Sequence, residues 1–225
     1  MKVKRFIDHE TKTHTYIVSK NNLSIIIDPV YFDVENYLEY LHSINSNLAC
    51  AFDTHMHADH ITGTGLLRKK TNCKIGMHEK SSVNNIDLKL SDGQVITFGE
   101  LNIQVIYTPG HTLESCCYLI DNMLFTGDTL LINSCGRTDF QNGSSAELYN
   151  SIFKKILTLH DETIIYPGHD YNNRMISNIA QERANNPRLQ VETLLEFANI
   201  MDNLNLPVPK FIDIALPRNV NCGIA

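Results

Sequence analysis

The chain has 225 residues, enough for one large domain with a substantial apolar core, and its composition of 43% hydrophobic and 20% charged residues is ordinary for a globular protein. Its formal net charge of −6 disfavours a nucleic-acid or anionic-membrane partner, because neither attracts an acidic surface. We expect a single domain over residues 1–225 that binds neither nucleic acid nor membrane.

The first half of the chain predicts short strands and few helices. Residues 15–19 and 23–28 have the pattern of a hairpin, and apolar residues recur at helical spacing over 33–44. Residues 48–53 form a short apolar run suited to a buried strand. Further strands are predicted at 95–98, 101–107, 116–120 and 123–126.

The second half predicts helices over 145–157, 174–185 and 191–204, with a strand at 163–166 between the first two. Strands grouped in sheets, with helices outside them, favour a layered α/β sandwich. We expect the tail after Pro207 to pack back on the fold, since it carries Phe211, Ile212 and Leu216.

Residues 1–8 are basic but lack the apolar run and cleavage site of a secretory signal. No stretch approaches the roughly 18 apolar residues of a membrane helix. The six cysteines contain no Cys-x-x-Cys pair, which argues against a disulfide framework and against a structural zinc knuckle. We therefore expect a cytoplasmic protein whose thiols are reduced and mostly buried.

The strongest functional signal directly follows the predicted strand 48–53. Three histidines and an aspartate lie within six residues there, and burying them without partners is costly unless a cation satisfies them. Three later strands also end in a glycine and a metal-competent side chain. This repetition favours a metal site made by His55, His57, Asp59, His60, His111, Asp128 and His169. We expect structural roles for the isolated histidines His9, His14, His42, His78 and His160.

In this order, the seven residues resemble the pattern of the metallo-β-lactamase superfamily. That resemblance spans residues 53–170. It implies an αββα sandwich, in which two mixed β-sheets pack face to face with helices on both outer faces. It also implies a metal in a cleft at one edge of the sheets.

Residues 127–143, and above all the run Cys-Gly-Arg-Thr-Asp-Phe at 135–140, are similar to the persulfide dioxygenases (sulfur dioxygenases) of that superfamily. The resemblance implies oxidation of glutathione persulfide by dioxygen, giving sulfite and glutathione, at one non-haem Fe(II) per chain. It places the iron ligands at His55, His111 and Asp128. Two imidazoles and one carboxylate are the facial triad of Fe(II) oxygenases, with open positions for the persulfide sulfur and O₂.

The other four residues keep the ligand types of a two-zinc hydrolase, and nothing in their spacing excludes a second metal. Zinc therefore stays an alternative to iron, and the mononuclear iron site rests on the resemblance. These residues can either orient the iron ligands by hydrogen bonding or bind the second metal: His57, Asp59, His60 and His169.

Two residues are candidates for binding the substrate. Arg137 can bind a glutathione carboxylate, because a guanidinium matches a carboxylate with two parallel bonds; the alternative is a brace for the loop around Asp139. Tyr171 can hydrogen-bond the thiol or peptide part of the substrate, or be a packing tyrosine.

Three residues near the expected site have other candidate roles. Cys135 is either a redox-sensitive thiol or, as we expect, a buried structural cysteine. Thr126 and Asp170 lie beside ligand positions and are expected to support the ligands.

The nearest rival function is that of a glyoxalase II-like hydroxyacylglutathione (thiolester) hydrolase, which uses a hydroxide activated by two metals. The Thr-Asp-Phe at 138–140 and the absence of a longer C-terminal substrate domain favour the dioxygenase. A β-lactamase proper fits less well because no export signal is seen, and a nuclease fits less well because no basic surface is predicted. A non-catalytic persulfide or metal carrier fits less well because every ligand position of the pattern is filled. The resemblance also implies a homodimer, and a separate sulfurtransferase partner is expected because none is fused here.

Overall fold

The computed structural model describes residues 1–171 and 174–224. It contains two compact units, the first made of Met1–Leu90, Ile96–Asn102 and Val208–Ala225, and the second of Ser91–Val95 and Ile103–Pro207. Among the described residues, no helix has the length and apolar character needed to span a bilayer.

Six strands form the sheet of the first unit, and their order in space is their order in the chain. They are β1 (Lys2–Ile7), β2 (His14–Lys20), β3 (Leu23–Ile27), β4 (Asn47–Phe52), β5 (Lys74–His78) and β6 (Leu88–Leu90). The pairs β1–β2 and β2–β3 are antiparallel, and the latter is the predicted hairpin. From β3 to β6 each strand is parallel to the next, so the sheet is mixed.

The second sheet has the order β14-β13-β10-β9-β8-β7 and is mixed too, since β10 and β13 are parallel while β9 pairs antiparallel with both of its neighbours. A separate hairpin is formed by β11 and β12. The strands are β7 (Val95–Phe98), β8 (Leu101–Tyr107), β9 (Cys116–Ile120), β10 (Met123–Gly127), β11 (Leu130–Leu131), β12 (Ser134–Cys135), β13 (Ile164–Pro167) and β14 (Ser177–Asn178).

The α-helices are α1 (Val34–Ser43), α2 (Thr64–Thr71), α3 (Ser145–Asn150), α4 (Ile179–Asn185), α5 (Leu194–Asp202) and α6 (Ile212–Asn219). The predicted helix over 145–157 is helical throughout, but its pitch changes after α3 to a π segment (Ser151–Lys155) and then to a 3₁₀ turn (Ile156–Thr158).

Each unit has its own apolar core. In the first, Val34, Tyr37 and Leu41 of α1 pack with Ile17 and Ile26 of the sheet. The three helical positions are spaced by three and four residues, which puts them on one face of the helix. The second core joins strands and helices in the same way, through Leu124, Ile165, Leu148, Ile152 and Phe197.

Two predicted helices are too long. The one expected over 174–185 is wrong in its first part, because Ser177 pairs with Ile165 in β14, and Asn178, whose side chain accepts a hydrogen bond from the backbone N–H of Gln181, caps the start of α4. The one expected over 191–204 begins at Leu194, since Thr193 and Glu196 form a capping box.

The tail after Pro207 packs less deeply than its apolar residues suggest. Phe211, Ile212 and Leu216 are only half-buried, and the fully buried residues of α6 are Ala215 and Asn219.

Candidate metal centre

Parallel strands bring carboxylates and histidines together at one edge of the first sheet. In β3 and β4, Ile27 is in register with Phe52, so the residues that follow them, Asp28 and Asp53, leave the sheet at the same edge. The loop after β4 carries the predicted histidine cluster past these two carboxylates.

His55 is buried and its tautomer is set by its neighbour. The Thr54 hydroxyl donates to Asp28 Oδ2 at 3.0 Å and lies 3.0 Å from His55 Nδ1. A hydroxyl has one proton, so the hydroxyl of Thr54 accepts from Nδ1–H of His55. The lone pair of His55 is therefore on Nε2, where it can bind a metal ion.

His57 is buried between the same carboxylates. Its Nε2 lies 3.1 Å from Asp28 Oδ1 and 3.7 Å from Asp53 Oδ1. Burial lowers the pKa of His57, but the charge of Asp28 and the hydrogen bonds to both carboxylates outweigh burial, so this pKa is raised well above its usual 6.5. A metal ion at Nδ1 would compete with the second proton of this ring.

His60 and Asp59 complete a second group of metal-competent atoms in the same loop. Thr13 donates to Asp59 Oδ2 at 2.9 Å, and His60 Nδ1 lies 3.1 Å from the same oxygen. Ligand atoms of His57, Asp59 and His60 lie within 4.8 Å of one another. Among the described residues, the buried His57 Nδ1 and His60 Nε2 have no hydrogen-bond partner. Orphaned buried nitrogens beside a carboxylate fit a cation.

In the second unit, His111 follows β8 and its tautomer is also set. Its Nδ1 lies 2.8 Å from the carbonyl oxygen of Arg137, which can only accept, so Nδ1 carries the proton and Nε2 the lone pair. A Cβ at Gly136 would lie 2.2 Å from the carbonyl oxygen of Asp128 and 2.8 Å from His111 Nδ1. Only glycine lets this loop approach His111 so closely.

Asp128 and His169 meet because β10 and β13 are parallel, with Gly127 in register with Pro167. His169 Nδ1 donates to Asp128 Oδ1 at 2.7 Å. The other oxygen, Oδ2, lies 3.8 Å from His111 Nε2. An ion bound about 2.1 Å from each ligand atom can bridge atoms up to about 4.2 Å apart, so this pair fits one metal ion.

The comparisons with known proteins agree with this chemistry. The model of the metallo-beta-lactamase superfamily matches residues 10–169. Mitochondrial persulfide dioxygenase ETHE1 of Mus musculus is 38% identical over 226 residues, which cover 99% of this chain and 89% of that protein. The crystal structure of ETHE1 from Myxococcus xanthus is 41% identical with a TM-score of 0.96, covering 99% of this chain and 100% of that one. The chain belongs to the persulfide dioxygenase family of this superfamily.

Membership of this family confirms the predicted metallo-β-lactamase fold and the predicted enzyme class. The likeness to the rival class is weaker and shorter: hydroxyacylglutathione hydrolase of Francisella tularensis subsp. novicida is 31% identical over 76% of this chain and 68% of that protein.

Arg137 makes the contacts of the loop-bracing alternative. Its guanidinium binds Asp139 through two bonds of 2.6 and 2.7 Å, donates to the carbonyl oxygen of Pro207 at 2.6 Å and stacks over the ring of Phe140. Hydrogen bonds from Arg137 hold the pKa of Asp139 below its ordinary value. The role of Arg137 in substrate binding stays a prediction.

Tyr171 is 69% exposed and stacks on the ring of His169, with centroids 5.8 Å apart and planes at 9°. Its hydroxyl group is therefore carried at the surface of the second unit, next to a residue that holds Asp128. Its role in substrate binding also stays a prediction.

The other three candidates, Cys135, Thr126 and Asp170, are buried, and the supporting roles of Thr126 and Asp170 stay predictions. Cys135 is 2% exposed, its thiol lies 3.7 Å from Met201 Sδ, and burial raises the pKa of the thiol, which favours the structural interpretation. Thr126 donates to the carbonyl oxygen of Leu130 at 2.6 Å, directly across the turn that carries Asp128. Asp170 accepts from the backbone N–H of Met175 at 2.7 Å.

Sequence reasoning missed the partners of the histidines. Asp28 could have been found, because it follows an apolar strand as the other candidate residues do. Thr13 and Asn219, which bind the loop from distant parts of the chain, carry no local signal.

Proposed function

We propose that the protein is a glutathione-dependent persulfide dioxygenase. Glutathione persulfide, O₂ and water would give glutathione, sulfite and two protons. The observation that carries this proposal is the identity of about two-fifths to persulfide dioxygenases over nearly the whole chain. The shorter and weaker match to a hydroxyacylglutathione hydrolase makes thiolester hydrolysis the second candidate.

We propose that one Fe(II) per chain is held by His55, His111 and Asp128. Both imidazoles keep their proton on Nδ1 and offer Nε2, and Asp128 offers Oδ2 while His169 occupies Oδ1. This donor set is the one that non-haem iron oxygenases use. The chemistry that iron supplies when bound is the binding of the persulfide sulfur and of dioxygen on one face.

In this proposal, the residues around the three ligands hold the ligand side chains in the orientation that metal binding requires. Asp28 through Thr54, and the carbonyl of Arg137, each fix one imidazole, which keeps the ligand atoms in place without reorganisation. His57, Asp59, His60 and His169 orient neighbouring groups by hydrogen bonds. Two nitrogens, His57 Nδ1 and His60 Nε2, have no hydrogen-bond partner among the described residues, which supports the alternative that a second ion, such as zinc, binds there.

Arg137 and Tyr171 are proposed to bind the carboxylate and the thiol or peptide part of the substrate. A homodimer and a separate sulfurtransferase that supplies the persulfide are further proposals from the resemblance. All six cysteine side chains are buried. A cytoplasmic setting, in which thiols stay reduced, is a further proposal from the sequence.

An oxygen electrode tests the proposal directly. Iron-loaded protein is given glutathione persulfide, and O₂ uptake and sulfite are measured; the same protein is given S-lactoylglutathione without O₂. We expect sulfite formation matched by O₂ uptake. Splitting of the thiolester without O₂ uptake on the persulfide would instead establish the hydrolase.

A further inference from the structure

Asn219 is the last residue of α6 and is 2% exposed. Its side-chain amide has two N–H donors and one carbonyl acceptor. The amide donates to the carbonyl oxygens of His57 and His60, both at 2.8 Å, and accepts from the backbone N–H of Thr62 at 2.9 Å. Both donors and the acceptor of this amide therefore bind one six-residue stretch of the histidine loop, residues 57–62.

That stretch needs such a partner. Residues 57–61 of this stretch lie in neither a helix nor a strand, so their peptide groups have no regular hydrogen-bonding ladder. Buried backbone groups must still be paired, by side chains where no backbone is available. Two of the carbonyls are satisfied by Asn219, about 160 residues further along the chain.

The residues after Asn219 fix its position against the loop. Gly65 donates its backbone N–H to the carbonyl oxygen of Cys222 at 3.0 Å, and Asn84 donates to that of Val220 at 2.7 Å. Gly223 has a φ of +74°, and a Cβ there would lie 2.0 Å from the carbonyl oxygen of Thr62. Residues 222 and 223 thus contact the backbone of Gly65 and Thr62, at the C-terminal end of the stretch that Asn219 binds.

We propose that Asn219 is a positioning residue for the metal-binding loop: it holds the carbonyls of His57 and His60, and with them the direction of the histidine side chains. This inference rests on the proposed function in one respect, that the loop binds the catalytic metal. The C-terminal helix is then a part of the metal centre, although it supplies no ligand.

Two variants distinguish the hydrogen bonds that the Asn219 side chain donates from the one that it accepts. Asn219→Asp keeps an acceptor for Thr62 N–H and removes both donors to the carbonyls, whereas Asn219→Ala removes all three bonds. The matched control is Ser24→Ala, since Ser24 is also fully buried in the first unit, and its hydroxyl bonds the hydroxyls of Ser19 and Ser46, at 2.6 Å each, rather than the histidine loop.

Two measurements are made on each protein: hydrogen exchange of the Thr62 amide in the metal-free state, relative to amides of β3, and affinity for Fe²⁺ under anaerobic competition with a chelator. We expect both Asn219 variants to bind Fe²⁺ at least about tenfold more weakly, because the loop that carries the proposed ligand His55 loses a group that positions it. Exchange at Thr62 should rise at least tenfold in Asn219→Ala only. Ser24→Ala should change neither.

Wild-type exchange at Thr62 in Asn219→Ala, or Fe²⁺ affinity that falls no further in the Asn219 variants than in Ser24→Ala, would overturn the proposal. If the wild-type protein binds no Fe²⁺ at all, the proposed function fails, while exchange at Thr62 still decides whether Asn219 holds the loop.

Discussion

At each candidate ligand a neighbouring group decides which atom faces the metal. Thr54, itself committed to Asp28, takes the Nδ1 proton of His55, and the carbonyl of Arg137 takes that of His111. Because these acceptors have no proton left to give, the tautomers are fixed before a metal binds. Orientation of this kind avoids a reorganisation cost on metal binding.

The two alternative roles of Arg137, substrate binding and bracing of the loop, can be distinguished by comparing variants of Arg137 and of its partner Asp139. If Arg137 binds the substrate carboxylate, Arg137→Ala should raise the apparent KM for glutathione persulfide about tenfold or more, since a charge-assisted hydrogen bond contributes about 1.5–3 kcal/mol. Asp139→Ala keeps the guanidinium and removes only its ion pair with Asp139. It should raise KM less than threefold in steady-state O₂ uptake. Equal effects of the two variants would assign Arg137 to the loop alone.

Cys135 should be dispensable for turnover. Cys135→Ala leaves a small cavity beside Met201 and should cost about 1–2 kcal/mol of folding free energy, or a few degrees in Tm. The value of kcat should stay within about twofold of wild type, because burial raises the thiol pKa and keeps the sulfur unreactive. A variant that folds with normal Tm but has lost turnover would show that the thiol takes part in the reaction.

At the scale of elements, the centre is built on parallel strand pairs. β3 and β4 deliver Asp28 and the histidine loop to one edge of the first sheet, and β10 and β13 deliver Asp128 and His169 to one edge of the second. Residues that follow neighbouring parallel strands come together without any further device. The junction of β13 with its loop is tight, because a Cβ at Gly168 would lie 2.7 Å from Asp128 Oδ1.

Gly168→Ala should therefore weaken metal binding. The added methyl group displaces the Asp128 carboxylate from His169, and we expect at least about tenfold lower affinity for Fe²⁺ in a chelator competition. The control is Gly93→Ala, at a glycine with a φ of +74° and no atom within 4 Å of the added Cβ. That change should cost about 1 kcal/mol through backbone strain and leave metal affinity unchanged. Wild-type affinity in Gly168→Ala would contradict the tight junction.

The elements that sequence reasoning found are those with a clear period and a local boundary. The β2–β3 hairpin, α1 and the strand before His55 combine apolar spacing with turn residues on either side. By contrast, α2 buries only Thr64, Gly65 and Leu67, too few apolar positions to reveal a helix. The start of α4 was misplaced because Ser177 pairs with a strand that lies 12 residues earlier.

The candidate site divides in the same way. His55, His57, Asp59 and His60 are close in sequence, so their common role could be predicted. The groups that orient them come from the residue before β2, the residue after β3 and the last residue of α6, and only the folded chain shows which of many polar residues meets the loop. Likewise, the carbonyl that orients His111 belongs to the main chain. Since every residue has such a carbonyl, the sequence cannot indicate which one meets His111.

At the scale of the whole molecule, the proposed iron centre and the hydrolase alternative differ in the number of metal ions and of ligands. The predicted metal pattern has seven side chains, and the proposed activity needs three of them on one iron, whereas the hydrolase alternative needs two ions. The buried loop atoms His57 Nδ1 and His60 Nε2 also fit a cation. The metal content of the protein and of single variants separates the two arrangements.

The most direct measurement is the iron and zinc content per chain of the purified protein and of four variants, each checked for folding by circular dichroism. We predict about one iron in the wild type, its loss in His55→Ala, His111→Ala and Asp128→Ala, and its retention in His60→Ala, as expected for one facial triad. Two zinc ions per wild-type chain, with one of them lost in His60→Ala, would contradict the mononuclear iron centre.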